Sequence, residues 1–282
     1  MRKYITGLRL YKRILAYKLE EMSSWVRYSK FARDRNYLNA DERYKNYSAE
    51  DQYANIGAGS YFYHPKWTSF DFYNNGEASF MRNFRPIDLT TVKKLPGTFR
   101  LAYCSHVFEH IPRDSISSFV RMISASLDDN GCLRVAVPDA DLIYDAYSRR
   151  DMNFFAIYKS KIPDGLSVDW HLEFLLLDMI ATEKRRQPLN EAYIESIRSM
   201  HSKLSKEEFL DYLLEGVESN RADGMNHVNW FNFEKIKALL LANGFGAVRL
   251  SAFGRSYHPP MQEVPLFDGW LPRISVYVEA DK

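Results

Sequence analysis

The sequence contains only two cysteines, Cys104 and Cys132, among 282 residues. Both lie in apolar runs, and a secreted scaffold of this size usually carries more disulfide pairs, so we predict two buried free thiols in a reducing compartment. No apolar run is long enough to cross a bilayer, and charged residues interrupt residues 1–19 too often for a signal peptide. We therefore expect a cytoplasmic protein.

The chain also has little net charge. Its formal charge of +2 does not favour a polyanionic partner, and nucleic-acid binding is not expected. The charge is uneven, however, because residues 1–47 hold twelve Lys or Arg against five Asp or Glu. We predict a basic helical extension over residues 1–48, docked on the rest of the chain with its charged face in solvent. A contact with an anionic membrane surface or another protein is the second interpretation, and an RNA-contacting arm the third.

The segment 104–112, CSHVFEHIP, contains the zinc-protease pattern H-x-x-E-H. That site needs His106 and His110 on one face of a helix, with Glu109 between them. The preceding run FRLAYC is typical of a buried strand, and Pro112 suits the start of a new helix with an apolar stripe from Ile116 to Leu127. The motif should therefore lie in a loop at the carboxyl end of a strand. A metal site of His106, Glu109 and His110 stays a lesser hypothesis, and we predict no metal.

A nucleoside crevice is indicated earlier in the chain. The strand candidate 53–56 leads into Gly57-Ala58-Gly59, and the next strand candidate, 67–71, ends at Asp71. Glycine lets a backbone approach a ligand, and a carboxylate closing the next strand can accept both ribose hydroxyl protons. The third glycine of a dinucleotide fingerprint is missing, because Phe62 stands in its place. This absence argues against a nicotinamide or flavin dinucleotide and favours a nucleoside without a diphosphate.

Further strand candidates complete one sheet. They are 85–89, 101–104, 132–137 after a helix stop at Gly131, 248–251 and 274–278. We predict an α/β fold with a Rossmann-like, seven-stranded, mostly parallel sheet, helices on both faces, and a last strand inserted antiparallel. The domain should span 49–282.

A helical insertion interrupts this pattern at about 151–226 and should stand over the ligand edge as a lid or acceptor platform. Val168 is predicted to share a buried helical stripe with Leu172, and Ser205 is predicted to begin a helix through a capping box. A further hypothesis is that polar-tipped aromatic residues stack on a sugar. These residues are Trp170, His171, Trp230 and Tyr257.

Several motifs occur in the order seen in one family. They are NIGAG (55–59), WTSFD (67–71), IDL (87–89), SHVFEHI (105–111), LRVAVPD (133–139) and LLLANGF (239–245). The chain resembles class I S-adenosylmethionine-dependent methyltransferases over roughly 50–150 and 226–282. It is most similar to the small-molecule branch associated with sugar and surface-polysaccharide biosynthesis. The resemblance implies S-adenosyl-L-methionine as cofactor and O-methylation of a saccharide or glycan acceptor.

The resemblance also implies roles for residues. Gly57 and Gly59 would form the turn against the methionine moiety, and Asp71 would bind the ribose. Asp88 and Leu89 would lie at the adenine, although Asp88 could instead cap a turn. Ser105 and His106 would flank the sulfonium. The full set of cofactor-binding candidates is Asn55, Gly57, Ala58, Gly59, Asp71, Asp88, Leu89, Ser105 and His106.

Methyl transfer to a hydroxyl requires alignment and removal of the acceptor proton. His106 is the first choice as general base, because imidazole titrates near neutrality. Glu109 and His110 either take part directly or stiffen the loop. Three alternatives remain open: a non-catalytic methyltransferase-like scaffold, a nicotinamide-dependent sugar oxidoreductase, and a zinc hydrolase, which would require the H-x-x-E-H segment to be helical. The catalytic candidates are His106, Glu109, His110, Asp139 and His227.

Overall fold

The computed structural model describes residues 42–59, 62, 64, 66–72, 83–184, 189–218, 226–263 and 266–282. Most of the predicted basic extension, residues 1–41, lies outside the described residues. The described part opens with a 3-10 turn at Glu42–Tyr44. None of the helices within the described ranges is long and apolar enough to cross a membrane.

One seven-stranded sheet organises the described residues, in the order β3-β2-β1-β4-β5-β7-β6. β7 pairs antiparallel with β5 and with β6, whereas the pairs among β1 to β5 are parallel. The predicted fold class, including the antiparallel insertion of the last strand, is thus confirmed. The strands are β1 Tyr53–Ile56, β2 Trp67–Asp71, β3 Phe84–Pro86, β4 Phe99–Ser105, β5 Leu127–Pro138, β6 Ala247–Ser251 and β7 Ser275–Asp281.

The described residues contain six α-helices and several 3-10 turns. The first and last helices pack on the sheet face that carries Ala54, Phe70 and Val135, whereas Tyr53, Trp67 and Phe267 form an aromatic cluster elsewhere. Strand residues alternate between faces, which separates the two clusters. The helices are α1 Ile116–Ser126, α2 Ala140–Ser148, α3 His171–Ile180, α4 Glu191–Lys203, α5 Lys206–Leu214 and α6 Phe233–Leu241.

Helices α3, α4 and α5 form the helical segment predicted after the fifth strand. Together with α2 they bury a separate hydrophobic cluster that includes Leu175, Ile197 and Phe209. The capping box predicted at Ser205 is present. The predicted position of Val168 is wrong: it lies in a 3-10 turn before α3 and is 78% exposed, because the α-helical period starts only at His171.

The predicted helix stop at Gly131 is also wrong. α1 ends at Ser126, and Leu127, which was predicted to lie on the helical stripe, is instead the buried first residue of β5. Gly131 lies inside β5, where an added Cβ would come within 2.7 Å of the Leu127 Cβ and 2.9 Å of the Asp128 carbonyl oxygen. This glycine is therefore explained by close backbone packing within the strand.

The order of the strands creates a crevice between β1 and β4. The chain runs outward from β1 through β2 to β3 and then returns to place β4 on the other side of β1. In open α/β sheets such a reversal separates the loops at the carboxyl ends of the two central strands, and ligands bind there. The segments that follow β1 and β4 are the glycine turn and the H-x-x-E-H loop.

Candidate active site

The turn after β1 depends on two glycines with left-handed backbone. Gly57 has a φ of 71° and Gly59 a φ of 60°, a conformation that other residues adopt only with strain. A Cβ on Gly57 would lie 2.1 Å from Val107 Cγ2, so the turn packs directly on the loop after β4. A Cβ on Gly59 would meet no described atom within 4 Å. The first glycine therefore allows close packing of the two loops, and no described residue packs against the second.

The carboxylate of Asp71 closes this turn from the end of β2. Its Oδ2 accepts a hydrogen bond from the Gly59 backbone N–H at 2.7 Å, and its Oδ1 accepts one from the Phe72 N–H at 2.6 Å. A carboxylate oxygen has two lone pairs, so each oxygen can accept a further hydrogen bond. Asp71 is therefore held rigidly while it keeps acceptor capacity at the crevice.

Asp88 and Leu89 follow β3, which ends at Pro86, earlier than predicted. Asp88 Oδ1 accepts hydrogen bonds from the Thr90 backbone N–H at 3.0 Å and from its hydroxyl at 2.6 Å. Asp88 thus caps a turn, which is the alternative to the adenine contact considered in the sequence analysis. Leu89 is buried in the core cluster of the sheet.

The loop after β4 starts with a strained residue. His106 has a φ of 54°, which is rare for a non-glycine residue and often found at functional sites. Its backbone N–H donates to the Ala136 carbonyl at 2.7 Å, and its side chain is only 8% exposed. Its Nε2 lies 2.9 Å from Ser275 Oγ, which in turn donates to the Leu271 carbonyl at 2.9 Å.

Glu109 lies in a single 3-10 turn, Phe108–His110, and is buried. Its Oε1 is 3.1 Å from His106 Nδ1 and 4.0 Å from His110 Nε2. Burial by itself would raise the pKa of Glu109, but the neighbouring imidazoles, His106 foremost, lower it to about 2. Neither carboxylate oxygen has a hydrogen-bond partner of good geometry among the described residues, so the contact of Oε1 with His106 is an ion-pair contact. The carboxylate is therefore ionised and only partly satisfied.

Two further imidazoles face this carboxylate. His110 and His227 have their ring centroids 4.9 Å apart, at an interplanar angle of 72°. His110 Nδ1 lies 3.0 Å from the Asn226 carbonyl oxygen, and His227 Nδ1 lies 2.8 Å from the Met179 carbonyl oxygen. Burial lowers the pKa of His227 to about 4, so it is neutral at pH 7.

The Asp139 carboxylate caps the start of α2. Its Oδ1 accepts hydrogen bonds from the Asp141 N–H at 3.1 Å and the Leu142 N–H at 3.4 Å. Burial raises its pKa, although these N–H groups lower it. The sequence carried a signal for this position, because an aspartate directly before an amphipathic helix is a preferred N-cap.

Four of the five catalytic candidates thus meet at one place: His106, Glu109, His110 and His227. Asn55 is buried inside β1, one residue before the end of the strand. The sequence interpretation missed Ser275, at the first residue of β7. No local signal identifies it, because the contact with His106 spans 169 residues.

The aromatic residues singled out in the sequence do not form one group. Trp230 is buried and its Nε1 donates to Asp211 Oδ1 at 2.9 Å, whereas Tyr257 is 59% exposed near the edge strand β6. Phe62 is buried in the aromatic cluster with Trp67 and Phe267. Phe62 and His64, which are described between β1 and β2, are not helical. Neither residue therefore starts a helix that could bind a pyrophosphate there.

Comparison with solved structures finds similar chains at low identity. An S-adenosylmethionine-dependent methyltransferase from Mesorhizobium loti is 13% identical, and the match covers 82% of this chain and 90% of that chain at a TM-score of 0.39. Human N-acetylserotonin methyltransferase, solved in complex with SAM, is 13% identical, with 82% and 47% covered at a TM-score of 0.39. An O-methyltransferase family protein from Burkholderia thailandensis is 9% identical, with 82% and 51% covered at a TM-score of 0.39.

The chain spans about half the length of the last two proteins. No family model matches the sequence, and no curated protein matches it either. At such low identities and TM-scores the function has to be argued from the geometry of the site.

Proposed function

We propose that the protein is an S-adenosylmethionine-dependent methyltransferase that methylates an oxygen of a saccharide or glycan intermediate. The observation that carries this proposal is the set of contacts made by the glycine turn between β1 and β4, where the order of the strands reverses. There the Gly57–Gly59 turn contacts the Asp71 carboxylate through the Gly59 N–H and the His106 loop through Gly57 against Val107, and the His106 N–H holds that loop on β5 through the Ala136 carbonyl.

The residues present fit the cofactor. No described atom lies within 4 Å of a Cβ added to Gly59, so among the described residues nothing blocks a ligand from the backbone there, and Asp71 offers acceptor lone pairs to two ribose hydroxyls. Asp88 and Leu89 follow the neighbouring strand and would contact the adenine, as a polar and an apolar partner. Ser105 and His106 would border the sulfonium. S-adenosylmethionine, when bound, supplies an electrophilic methyl group, and the protein aligns the acceptor with it.

The oxidoreductase alternative has less support. A dinucleotide needs a glycine-rich turn that leads into a helix N-terminus, where the pyrophosphate binds. Phe62 occupies the third glycine position and is buried among aromatic rings instead. A nucleoside without a diphosphate makes no such demand on this turn.

The base would be the pair of His106 and Glu109. With Nδ1–H directed at the Glu109 carboxylate, whose Oε1 lies 3.1 Å away, Nε2 is the basic nitrogen that takes a proton from the acceptor hydroxyl. The buried carboxylate then stabilises the imidazolium that forms, and the Nε2–H of the imidazolium donates to Ser275 Oγ, because the proton of the Ser275 hydroxyl is already donated to the Leu271 carbonyl. Glu109 is a positioning residue in this scheme, because it acts through His106.

The acceptor would enter from the side of the helical segment after β5. α2 starts at the carboxyl end of β5, and α3 to α5 pack on it through the shared hydrophobic cluster. A saccharide acceptor is supported by the family resemblance of the sequence. The helical segment is the part of the chain where we expect differences in acceptor specificity to arise.

The first test is isothermal titration of the purified protein with S-adenosylmethionine and, separately, with NADH. We expect micromolar binding of S-adenosylmethionine alone. Asp71→Asn should weaken binding by at least about 10-fold, because charge-assisted hydrogen bonds to the ribose are lost. Asp128→Asn is the matched control, since Asp128 lies at the start of β5, on the opposite edge of the sheet.

Two outcomes would contradict the proposal. If neither S-adenosylmethionine nor its demethylated product binds, the non-catalytic scaffold becomes the better interpretation. If NADH binds instead, the oxidoreductase does.

The role of His106 is tested once a saccharide panel has given an acceptor. His106→Asn should lower kcat by ~100-fold or more, because general-base catalysis contributes about that much, while affinity for the cofactor changes little. Glu109→Gln should lower kcat and shift the pH profile of kcat. An unchanged profile in Glu109→Gln would mean that His106 acts without the carboxylate.

A further inference from the structure

Three side chains of types that can bind metal ions lie close together beside the proposed base. A carboxylate oxygen of Glu109 and one ring nitrogen each of His110 and His227 all lie within 4.8 Å of one another. The residues come from two distant parts of the chain, the loop after β4 and the segment before α6. The backbone joins these parts as well, because the Glu109 carbonyl accepts hydrogen bonds from the Val228 N–H at 2.7 Å and the Asn229 N–H at 3.2 Å.

The hydrogen bonds of both histidines decide which ring nitrogen faces the cluster as an acceptor. A backbone carbonyl can only accept, so His110 Nδ1 must donate to Asn226 and His227 Nδ1 must donate to Met179. In the neutral imidazole the proton on Nδ1 leaves a lone pair on Nε2. Metal-ligating histidines almost always have their second nitrogen anchored in this way to a carbonyl or carboxylate.

The cluster therefore contains more hydrogen-bond acceptors than hydrogen-bond donors. One ring nitrogen of each histidine lies within 4.8 Å of a carboxylate oxygen of Glu109, and neither oxygen of Glu109 has a hydrogen-bond partner within the part of the chain that the structure describes. Buried acceptors without donors are costly, and a cation satisfies all three at once. We propose that Glu109, His110 and His227 bind a divalent first-row metal ion, with Zn²⁺ as the best match to this ligand set.

The geometry fits a site with an open position. Zinc–ligand bonds of about 2.0–2.2 Å place tetrahedral ligands roughly 3.4 Å apart, and Glu109 Oε1 and His110 Nε2 are 4.0 Å apart. This pair therefore needs to close by about 0.6 Å, and no pair of the three ligand atoms needs to close by more than about 1.4 Å, because all of them lie within 4.8 Å of one another. Two histidines and one glutamate are a known zinc set that leaves the fourth position for water or a substrate oxygen.

This arrangement differs from the H-x-x-E-H zinc site. There both histidines of the motif are ligands and the glutamate is a base. Here His106 directs Nε2 to Ser275, Glu109 is a ligand, and the second histidine ligand, His227, comes from outside the motif. The loop has only one 3-10 turn, so the helix that the protease pattern requires is not formed between Phe108 and His110.

A second cluster, Cys132, His258 and Asp281, also has metal-ligand spacing, but its groups are already engaged. Asp281 forms an ion pair with Arg249 at 2.6 Å, and His258 Nδ1 lies 2.8 Å from the Tyr47 hydroxyl. Burial raises the pKa of the Cys132 thiol, which disfavours the thiolate that binds metal. This cluster is the internal control.

The experiment is a calorimetric titration of the chelator-stripped, full-length protein with ZnCl₂, followed by metal analysis after dialysis. We expect one Zn²⁺ per chain. His227→Gln and His110→Gln should each weaken binding by ~100-fold or more, because even outer-shell changes cost 10–100-fold. His258→Gln should bind as the wild type does, and His106→Gln should keep the stoichiometry of one.

Substitution with Co²⁺ tests the wild type directly and does not depend on whether a variant folds. The proposed ligands contain no sulfur, so the near-ultraviolet thiolate charge-transfer band should be absent. A thiolate band, loss of the ion in His258→Gln, undiminished binding in His227→Gln, or no Zn²⁺ binding by the wild type would each overturn the proposal.

Titration of the same samples with S-adenosylmethionine separates this inference from the proposed function. Cofactor binding without Zn²⁺ binding would reject the metal site alone. Zn²⁺ binding without cofactor binding would leave the metal site in place and reject the methyltransferase.

Discussion

Two buried polar clusters in this protein are built on opposite principles. The first surrounds Arg134 in the middle of β5, a side chain with no exposed surface. Its guanidinium donates to both oxygens of Asp268, at 3.0 and 2.6 Å, and to Glu279 Oε1 at 2.8 Å. The remaining contacts go to Ser251 Oγ and the Ala252 carbonyl. The second is the cluster of Glu109 with His106, His110 and His227.

The difference lies in the balance of donors and acceptors. Around Arg134 the donors of the guanidinium are matched by acceptors, and Glu279 Oε2 also accepts from the Tyr257 N–H at 2.9 Å. Around Glu109 lone pairs outnumber protons. A matched buried network fixes one structure, whereas an unmatched one holds capacity for a proton or a metal ion. Burial of charge alone therefore does not point to a functional site. Buried acceptors that lack hydrogen-bond donors do.

The largest expected effect comes from breaking the matched cluster. Arg134→Met should lower the free energy of unfolding by about 3–5 kcal/mol, because it leaves two buried carboxylates without their partner. Urea denaturation measures this change. Arg121→Met is the control: Arg121 bonds to Asn243 and Ser118 near the surface, and its loss should cost less than about 1 kcal/mol. Equal losses in the two variants would contradict the matched-network interpretation.

The unmatched cluster should show itself in the pH dependence of stability. The pKa of His227 is lowered by burial to about 4, against about 6.5 in an unfolded chain. The unfolded state therefore binds the proton first. Stability that is fully present above pH ~6.5 is lost as the pH falls towards ~4, by about 3 kcal/mol.

Urea unfolding across that pH range, in the presence of a chelator, tests this prediction. The curve of His227→Gln should be flatter than that of the wild type. Parallel curves would show that His227 does not carry the loss.

A smaller effect is expected at the glycine turn, which supports the loop of the unmatched cluster. Gly59→Ala should cost about 1 kcal/mol through its positive φ alone. Gly57→Ala should cost at least ~1 kcal/mol more, because the added methyl group overlaps Val107 Cγ2. Thermal unfolding of both variants measures the difference, and each variant serves as the control for the other. Similar losses would mean that the turn and the loop after β4 move apart freely.

Much of the fold could be predicted because its signals are local. The strand Trp67–Asp71 and the loop nature of the H-x-x-E-H segment were predicted from apolar runs and from Pro112, and both are as expected. The seven-stranded, mostly parallel sheet with an antiparallel last strand was predicted from alternating strands and helices that finish in two strands. Errors arose where a local signal had two meanings: Gly131 is a close-packing residue inside β5, and Val168 precedes the helix it was assigned to.

The candidate site was less predictable, because its decisive contacts are long-range. The pairing of His110 with His227 and the contact of His106 with Ser275 join segments separated by more than a hundred residues, and no spacing rule encodes them. In the sequence, Arg134 is one polar residue in the strand LRVAV. Nothing in that segment indicates that two buried carboxylates contact it. Individual residue types were predictable, but the balance of donors and acceptors around them was not.

The antiparallel insertion of β7 has a consequence for the order of assembly. Because β7 runs against its neighbours, its first residue, Ser275, lies at the edge where the parallel strands end. The glycine turn can form once β1, β2 and β4 have paired, but His106 receives Ser275 only after a pairing that spans most of the domain. Such non-local pairing is slow. A nascent or partly folded chain would thus hold the proposed cofactor crevice before it holds His106, the proposed base, in its final orientation.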